Sequence, residues 1–263
     1  MGGRDEAIGC LTFLNQSPVR IRILNLLSEE KALTKGELTK QVNVSRVTIQ
    51  RNLEALAEYG WLKPAQSEYT ITPAGELVSR ELTSVIDSIQ LERKLHPFLR
   101  WLPRDSFDLD PQLLRDATVI STEPTDPYNW VRYHIDRLST TSHLRLLLPL
   151  IGDEGWEVTT TRLRNGELTA EFIADTAVAT TLRTNPRYTD TVDQLRTTEG
   201  FELFLYEGTF PFGIGIFDQY VQMIVADDDG MPQALIETQS ERVHEWAEAT
   251  FKDYREKSKR FTF

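Results

Sequence analysis

Val44-Ser45-Arg46-Val47-Thr48-Ile49-Gln50-Arg51-Asn52-Leu53-Glu54-Ala55-Leu56 is the stretch that decides the fold. Ile49, Leu53 and Leu56 fall at i, i+4 and i+7, one stripe of a helix, and Ser45 stands where a side chain caps the helix start. The other side carries Arg46, Thr48, Gln50 and Arg51. Upstream, Thr34 and Glu37 have the spacing of a capping box, which predicts a short helix over about Lys35 to Val42, closed by Asn43 in a left-handed turn. Ser17-Pro18 opens an earlier helix with Ile21, Leu24 and Leu27 inward. Ile8, Leu11 and Leu14 predict another over Glu6 to Asn15. Downstream of Tyr59-Gly60, Trp61 to Lys63 and Tyr69 to Thr72 read as extended pieces joined by the polar turn Pro64 to Glu68.

Helix, turn, helix and hairpin in that order is the winged helix-turn-helix arrangement, and its chemistry suits a DNA duplex. A helix fits the major groove, where base edges are distinguishable, and its N-terminal residues come closest to them. This selects Ser45, Arg46, Val47, Thr48, Gln50 and Arg51. Lys35 lies at the start of the preceding helix, and Lys63, Gln66 and Tyr69 on the hairpin are placed for the backbone or minor groove. The whole chain of 263 residues is acidic, with 40 Asp and Glu against 29 Lys and Arg and a net charge of -11. Residues 1–95 are balanced at 12 and 12, so the rest carries the entire excess, and Lys31 to Lys63 has a local balance of +3. That sign is right for phosphate, though small, and it favours two copies acting together.

Thr72-Pro73 predicts the start of a long helix running to about Leu95. Val78, Leu82, Val85 and Ile89 alternate along it by four and three residues, the spacing of a dimerisation seam or of a face packed on the chain's own domain. Prolines 97, 103, 111, 124 and 127 then mark a linker. The expected organisation is a DNA-binding domain over 1–72, a connecting and dimerising helix over 73–97, and an α/β sensor domain over 98–263. The fold class is α+β.

In the third part Asp126 to Leu138 reads as a helix and Leu144 to Leu148 as a buried strand. Trp156 to Leu163 and Leu168 to Ile173 flank Asn165-Gly166 and read as a hairpin. Phe201 to Tyr206, Gly213 to Phe217, Tyr220 to Ala226 and Gln233 to Glu237 are further strands. Thr238 and Glu241 have the spacing of a second capping box, opening a final helix that buries Val243, Trp246 and Tyr254.

Thr34-Lys35-Gly36-Glu37-Leu38, Val44 to Leu53 and Tyr59-Gly60-Trp61-Leu62 together resemble archaeal winged-helix transcriptional regulators. The proline-rich stretch, Tyr206 to Asp218 and Trp246-Ala247-Glu248 resemble the effector domain of the methanogenesis-regulator class of those proteins. The resemblance implies a DNA-binding regulator whose output depends on a small ligand. Trp130, Arg183, Tyr206, Gly213 and Gly215 are the candidate ligand residues, the two glycines falling on one face of a strand where a ligand or a neighbouring backbone can approach.

Other classes find less support. No G-x-S-x-G elbow, P-loop or H-E-x-x-H motif occurs, so no enzyme is expected unless residues such as His134, Arg183 and Asp218 converge in one pocket. Asp227-Asp228-Asp229-Gly230 lacks the EF-hand glycine and glutamate positions and reads as a solvated turn, so no metal or other cofactor is expected. Cys10 alone forms no disulfide framework, and no apolar run reaches membrane-spanning length, so a cytoplasmic chain is expected. The expected partners are double-stranded DNA, a second copy of the chain and an unidentified small effector. A protein-interaction adaptor using the same helix surface is the alternative.

Overall fold

The computed structural model describes residues 3–103, 106–122, 125–195 and 197–262. Pro124 lies outside them. The chain is α+β and divides into two compact units between Gln90 and Leu91.

The first unit begins with α1 (Gly3–Asn15) and α2 (Pro18–Glu30), followed by a strand β1 (Ala32–Thr34), then α3 (Lys35–Val42) and α4 (Arg46–Glu58). The hairpin β2 (Leu62–Ala65) and β3 (Glu68–Ile71) and the first part of α5 (Pro73–Leu99) complete it. The caps form as their chemistry requires. Glu37 N–H donates to Thr34 Oγ1 at 3.2 Å while Thr34 N–H donates to Glu37 Oε2 at 2.8 Å, and Asn43 is left-handed at φ 57°. Thr48 N–H donates to Ser45 Oγ at 3.2 Å. Ile23, Leu24, Leu27, Leu38, Ile49, Leu53 and Leu56 are fully buried and make the core. Of the apolar residues on α1, Leu14 joins it, whereas Ile8 and Leu11 stay exposed.

Two features of this unit differ from expectation. β1 joins the hairpin as a third strand, antiparallel to β3 with Leu33 opposite Tyr69. Three residues between two helices are too few to show an alternating pattern. The hairpin turn is tighter than Pro64 to Glu68, because Ala65 already pairs with Glu68 and Gln66 takes a left-handed φ of 56°.

The second unit is built on an eight-stranded sheet. Its elements are β4 (Thr118–Ser121), α6 (Asn129–Leu138), β5 (His143–Leu148), α7 (Asp153–Arg164), β6 (Thr169–Ala174), α8 (Thr176–Thr184), α9 (Pro186–Leu195) and β7 (Phe201–Leu205). β8 (Gly213–Phe217), β9 (Tyr220–Ala226), β10 (Pro232–Thr238), α10 (Glu241–Glu256) and β11 (Lys259–Arg260) follow. The strand order is β11-β7-β6-β5-β8-β9-β10-β4, with β5, β6 and β7 parallel and the other pairs antiparallel. Side chains alternate between two cores. Leu144, Leu146, Phe172 and Phe217 face one with α6, α7, α8 and α9, while Leu147, Ile173, Ile214 and Ile216 face the other with Val243, Ala247 and Phe251 of α10. Leu91, Leu95 and Phe98, the end of α5, belong to the α10 side.

The sequence-predicted hairpin around Asn165-Gly166 is wrong. Trp156 to Leu163 is helical, and Asn165-Gly166 ends that helix. Gly166 has φ 70°, its N–H donates to the Leu163 carbonyl at 3.1 Å, and Glu167 N–H reaches the Arg162 carbonyl at 3.0 Å, the Schellman closure. The helix then serves as the crossover between the parallel strands β5 and β6, which a two-residue turn cannot provide. The second capping box also fails. Thr238 is still paired with Val221 in the sheet, its hydroxyl accepts from Ser240 N–H at 3.1 Å, and Ser240 is the N-cap. That shift rotates the buried stripe of α10 to Val243, Ala247 and Phe251, leaving Trp246 and Tyr254 half-buried.

Candidate nucleic-acid interface and ligand cavity

α4 buries Ile49, Leu53 and Leu56, so geometry turns Arg46, Val47 and Arg51 outward. Val47 is 78% exposed, a β-branched apolar side chain standing in water next to two guanidinium groups. Thr48 and Gln50 are half-buried, Thr48 sharing a 2.9 Å hydrogen bond with Ser45 and Gln50 donating to Glu54. Ser45, Lys63 and Gln66 are exposed, Lys35 is half-buried in the first turn of α3, and Tyr69 lies half-buried against the core.

Two residues that sequence reasoning did not single out hold α4 in place. Asn52 is buried on the inner stripe, accepts from Arg20 Nε at 3.1 Å and donates to the Thr48 carbonyl at 2.8 Å. Arg20 also donates to the Phe13 carbonyl and lies 3.8 Å over the Phe13 ring. Phe13 stacks on Tyr59 at 4.2 Å and Tyr59 on Trp61 at 4.8 Å, so one column runs from α2 through α1 to the foot of the hairpin. An asparagine inside an apolar stripe is the sequence signal that marks such a lock.

The dimerisation residues divide. Leu82 is 7% exposed and Val78 packs beside it in the first unit's core, whereas Val85 and Ile89 are 53% and 55% exposed. Leu77, Ile8 and Leu11 are also exposed.

The second unit contains a cavity of about 470 Å³ between α6, α7 and the sheet. Trp130, Gly213 and Gly215 line it; Arg183 and Tyr206 do not. Arg183 donates to the Thr262 carbonyl and covers the Phe261 ring, and Tyr206 stacks on Phe210 in the α10-side core. The glycines also have a packing reason. A Cβ on Gly213 would lie 2.6 Å from Ile224 Cγ2, and one on Gly215 2.4 Å from the Phe217 ring.

Behind the cavity wall, which Gln222 and His134 line, Glu237, 5% exposed, accepts from Arg137 Nε and Nη2 at 2.8 and 2.6 Å, from Tyr133 Oη at 2.9 Å and from Gln222 Nε2 at 2.8 Å. Burial pushes its carboxyl up, but these donors and the Arg137 charge outweigh burial and hold it below the usual carboxylate range. Arg137 in turn sits 3.3 Å over the Tyr220 ring. His134 Nδ1 lies 2.7 Å from Gln222 Oε1, and burial lowers the imidazole pKa. Gln222 and Glu237 occupy inward positions of apolar strands, the signal that would have found this network from sequence.

His134, Arg183 and Asp218 do not converge. His134 lines the cavity, Arg183 is on α8, and Asp218 closes the β8–β9 turn, accepting from the backbone N–H groups of Ser142 and His143 at 2.9 Å each. Asp227 spends its carboxylate on Asp229 N–H, Met231 N–H and Gln233 Nε2 within its own turn. Among the described residues no group of three metal-ligating side chains is assembled, and no helix is long and apolar enough to cross a membrane.

Residues 127–257 match the family model described as the middle domain of the methanogenesis regulatory protein FilR1. Residues 10–94 match the family model described as the HVO_A0261 N-terminal domain. No curated protein matches the chain. Among solved structures, TrmBL2, an archaeal chromatin protein, is 14% identical, with 90% of this chain and 91% of that one covered at a TM-score of 0.44. NucT from Helicobacter pylori is 13% identical, with 55% and 98% covered and a TM-score of 0.45. An IclR-type transcriptional regulator from Alicyclobacillus acidocaldarius is 11% identical, with 90% and 94% covered and a TM-score of 0.23. The FilR1 match falls wholly within the second unit.

Proposed function

We propose that this chain is a cytoplasmic DNA-binding transcriptional regulator, acting as a homodimer and tuned by a small ligand in its second unit. The observation that carries the reading is α4. Its capped N-terminal end points Arg46, Val47 and Arg51 into solvent while Asn52 and Arg20 fix its orientation from behind. Arginine pairs with guanine in the major groove, an apolar side chain such as Val47 meets the thymine methyl, and the free amides at the helix start attract phosphate. Ser45, Thr48, Gln50, Lys35, Lys63, Gln66 and Tyr69 supply the surrounding backbone and groove contacts. Gln50 must release Glu54 to read adenine.

Two copies joined through Val85 and Ile89 double the modest local charge. Half-sites about one helical turn apart, roughly 34 Å, admit one dimer geometry, so a ligand that alters the separation of the two α4 helices controls binding.

The test is a mobility-shift titration on duplex fragments from the chain's own upstream region, at fixed salt. Arg46→Ala and Arg51→Ala should each weaken specific binding by about 1–3 kcal/mol. Equal retardation by wild type and both variants rejects the placement. Exposed Val47 is also what a protein partner would grip; the adaptor reading predicts no DNA binding, and a steep salt dependence of duplex binding excludes it.

A further inference from the structure

The cavity under α6 and α7 presents a polar group, the His134 imidazole, whose hydrogen-bonding role can be fixed by following the network outward from Glu237. Glu237 is ionised, so the Gln222 amide nitrogen must face it as donor, as the 2.8 Å contact requires. The Gln222 carbonyl oxygen therefore faces His134, and a carbonyl only accepts, so His134 Nδ1 carries the proton. With the ring kept neutral by burial, Nε2 is a bare acceptor, and it has no partner among the described residues. Trp156 also lines the space, but its Nε1–H is buried out of reach of it, so the indole meets an occupant through its ring.

The rest of the lining narrows the occupant. It is dominated by aliphatic and aromatic side chains, and among the described residues its charged members are Asp153 and Glu154 at the start of α7. Asp153 is already engaged by Arg187 and by Tyr188 Oη. Among the described residues no lysine or arginine faces the space, so an anion would lose its hydration without gaining a counter-charge. The volume of about 470 Å³ is within the ordinary range for small-molecule sites.

We propose that this cavity binds an uncharged, mainly hydrocarbon small molecule carrying a hydroxyl group, which donates to His134 Nε2. The assignment rests on the reading of the second unit as a ligand sensor and supplies the chemical class of that ligand. Anionic metabolites such as carboxylates and phosphate esters are excluded by the same lining.

Three naphthalenes of one size separate the possibilities: 1-naphthol, neutral with a hydroxyl; naphthalene, neutral without one; and 1-naphthoate, anionic. Binding to the full chain is followed by calorimetry, beside His134→Phe, which keeps an aromatic side chain of similar size and removes the acceptor, and Ile135→Trp, which fills space at the wall. The expected order is 1-naphthol tighter than naphthalene by about fivefold, the worth of one hydrogen bond, and tighter than 1-naphthoate by about tenfold or more. His134→Phe should lower the naphthol affinity about fivefold and leave naphthalene unchanged. Ile135→Trp should weaken both neutral probes.

Absence of binding by all three, preference for naphthoate, or a naphthol affinity that does not exceed naphthalene's or that His134→Phe does not alter would each overturn the proposal. Duplex affinity measured in the same samples keeps the two readings apart. Naphthol binding that leaves duplex affinity unchanged overturns ligand control while the cavity assignment stands. Intact duplex binding with no probe bound overturns the cavity assignment alone.

Discussion

Asn52 shows how one polar side chain can be worth more inside an apolar stripe than a leucine would be. It satisfies the Thr48 carbonyl and receives Arg20, whose guanidinium also reaches the Phe13 carbonyl and ring. Replacing it with leucine leaves Arg20 Nε without its acceptor in a part-buried setting. Asn52→Leu should therefore cost about 2 kcal/mol in urea unfolding and weaken duplex binding in parallel, since the support of α4 is lost. Gly75 is the second residue-scale constraint. A Cβ there would stand 2.2 Å from the Trp61 carbonyl oxygen, which accepts from Thr72 N–H at 2.9 Å, while Thr72 Oγ1 accepts from Gly75 N–H at 3.1 Å. The start of α5 must back away from the hairpin to admit a methyl, and Gly75→Ala should cost about 1–3 kcal/mol, read as a lowered melting temperature.

At the scale of elements, α5 carries two kinds of apolar residue. Leu82 is spent on the first unit's core, but Val85 and Ile89 have no use within the described structure. Val85→Asp with Ile89→Asp should shift the chain from dimer to monomer by sedimentation, with the melting temperature almost unmoved. A dimer that persists would place the self-association elsewhere. Short-range chemistry was legible at this scale. Caps at Thr34 and Ser45, the left-handed Asn43 and the stripe Ile49, Leu53 and Leu56 all depend on residues within one or two turns, and they form as read. Trp156 to Leu163 was not legible for a related reason. Thr159, Thr160 and Thr161 favour a strand, and Asn-Gly favours a hairpin, but burial of Trp156 and Leu163 against α6, α9 and the sheet overrides both local preferences. The three-residue β1, and α8 and α9 between Ile173 and Phe201, likewise depend on partners distant in sequence. The cavity network escaped for the same reason, since His134, Gln222 and Glu237 meet only when α6 lies against β9 and β10.

At the scale of the whole molecule, acid should act first through His134. Burial lowers its pKa from the ordinary 6.5, so the folded chain stays neutral there while the unfolded chain takes up a proton. The stability it contributes is complete above about pH 6.5 and declines below it, by at most about 1.4 kcal/mol per pH unit for one proton. Glu237 has the matching carboxylate behaviour. Its stabilisation is present above 4.5 and is lost as pH falls through its depressed value. Comparing wild type with His134→Gln between pH 7.5 and 5.5 should show the larger fall in melting temperature for wild type. Equal falls would mean that His134 is not the group titrating.

The division of the chain inside α5 has a practical corollary for dissection. A C-terminal fragment begun at residue 98, near the end of that helix, discards Leu91 and Leu95, the latter fully buried against α10's side of the sheet. Such a piece would carry an open wound in its interior and should aggregate, whereas one begun a turn before Leu91 takes its own plug with it.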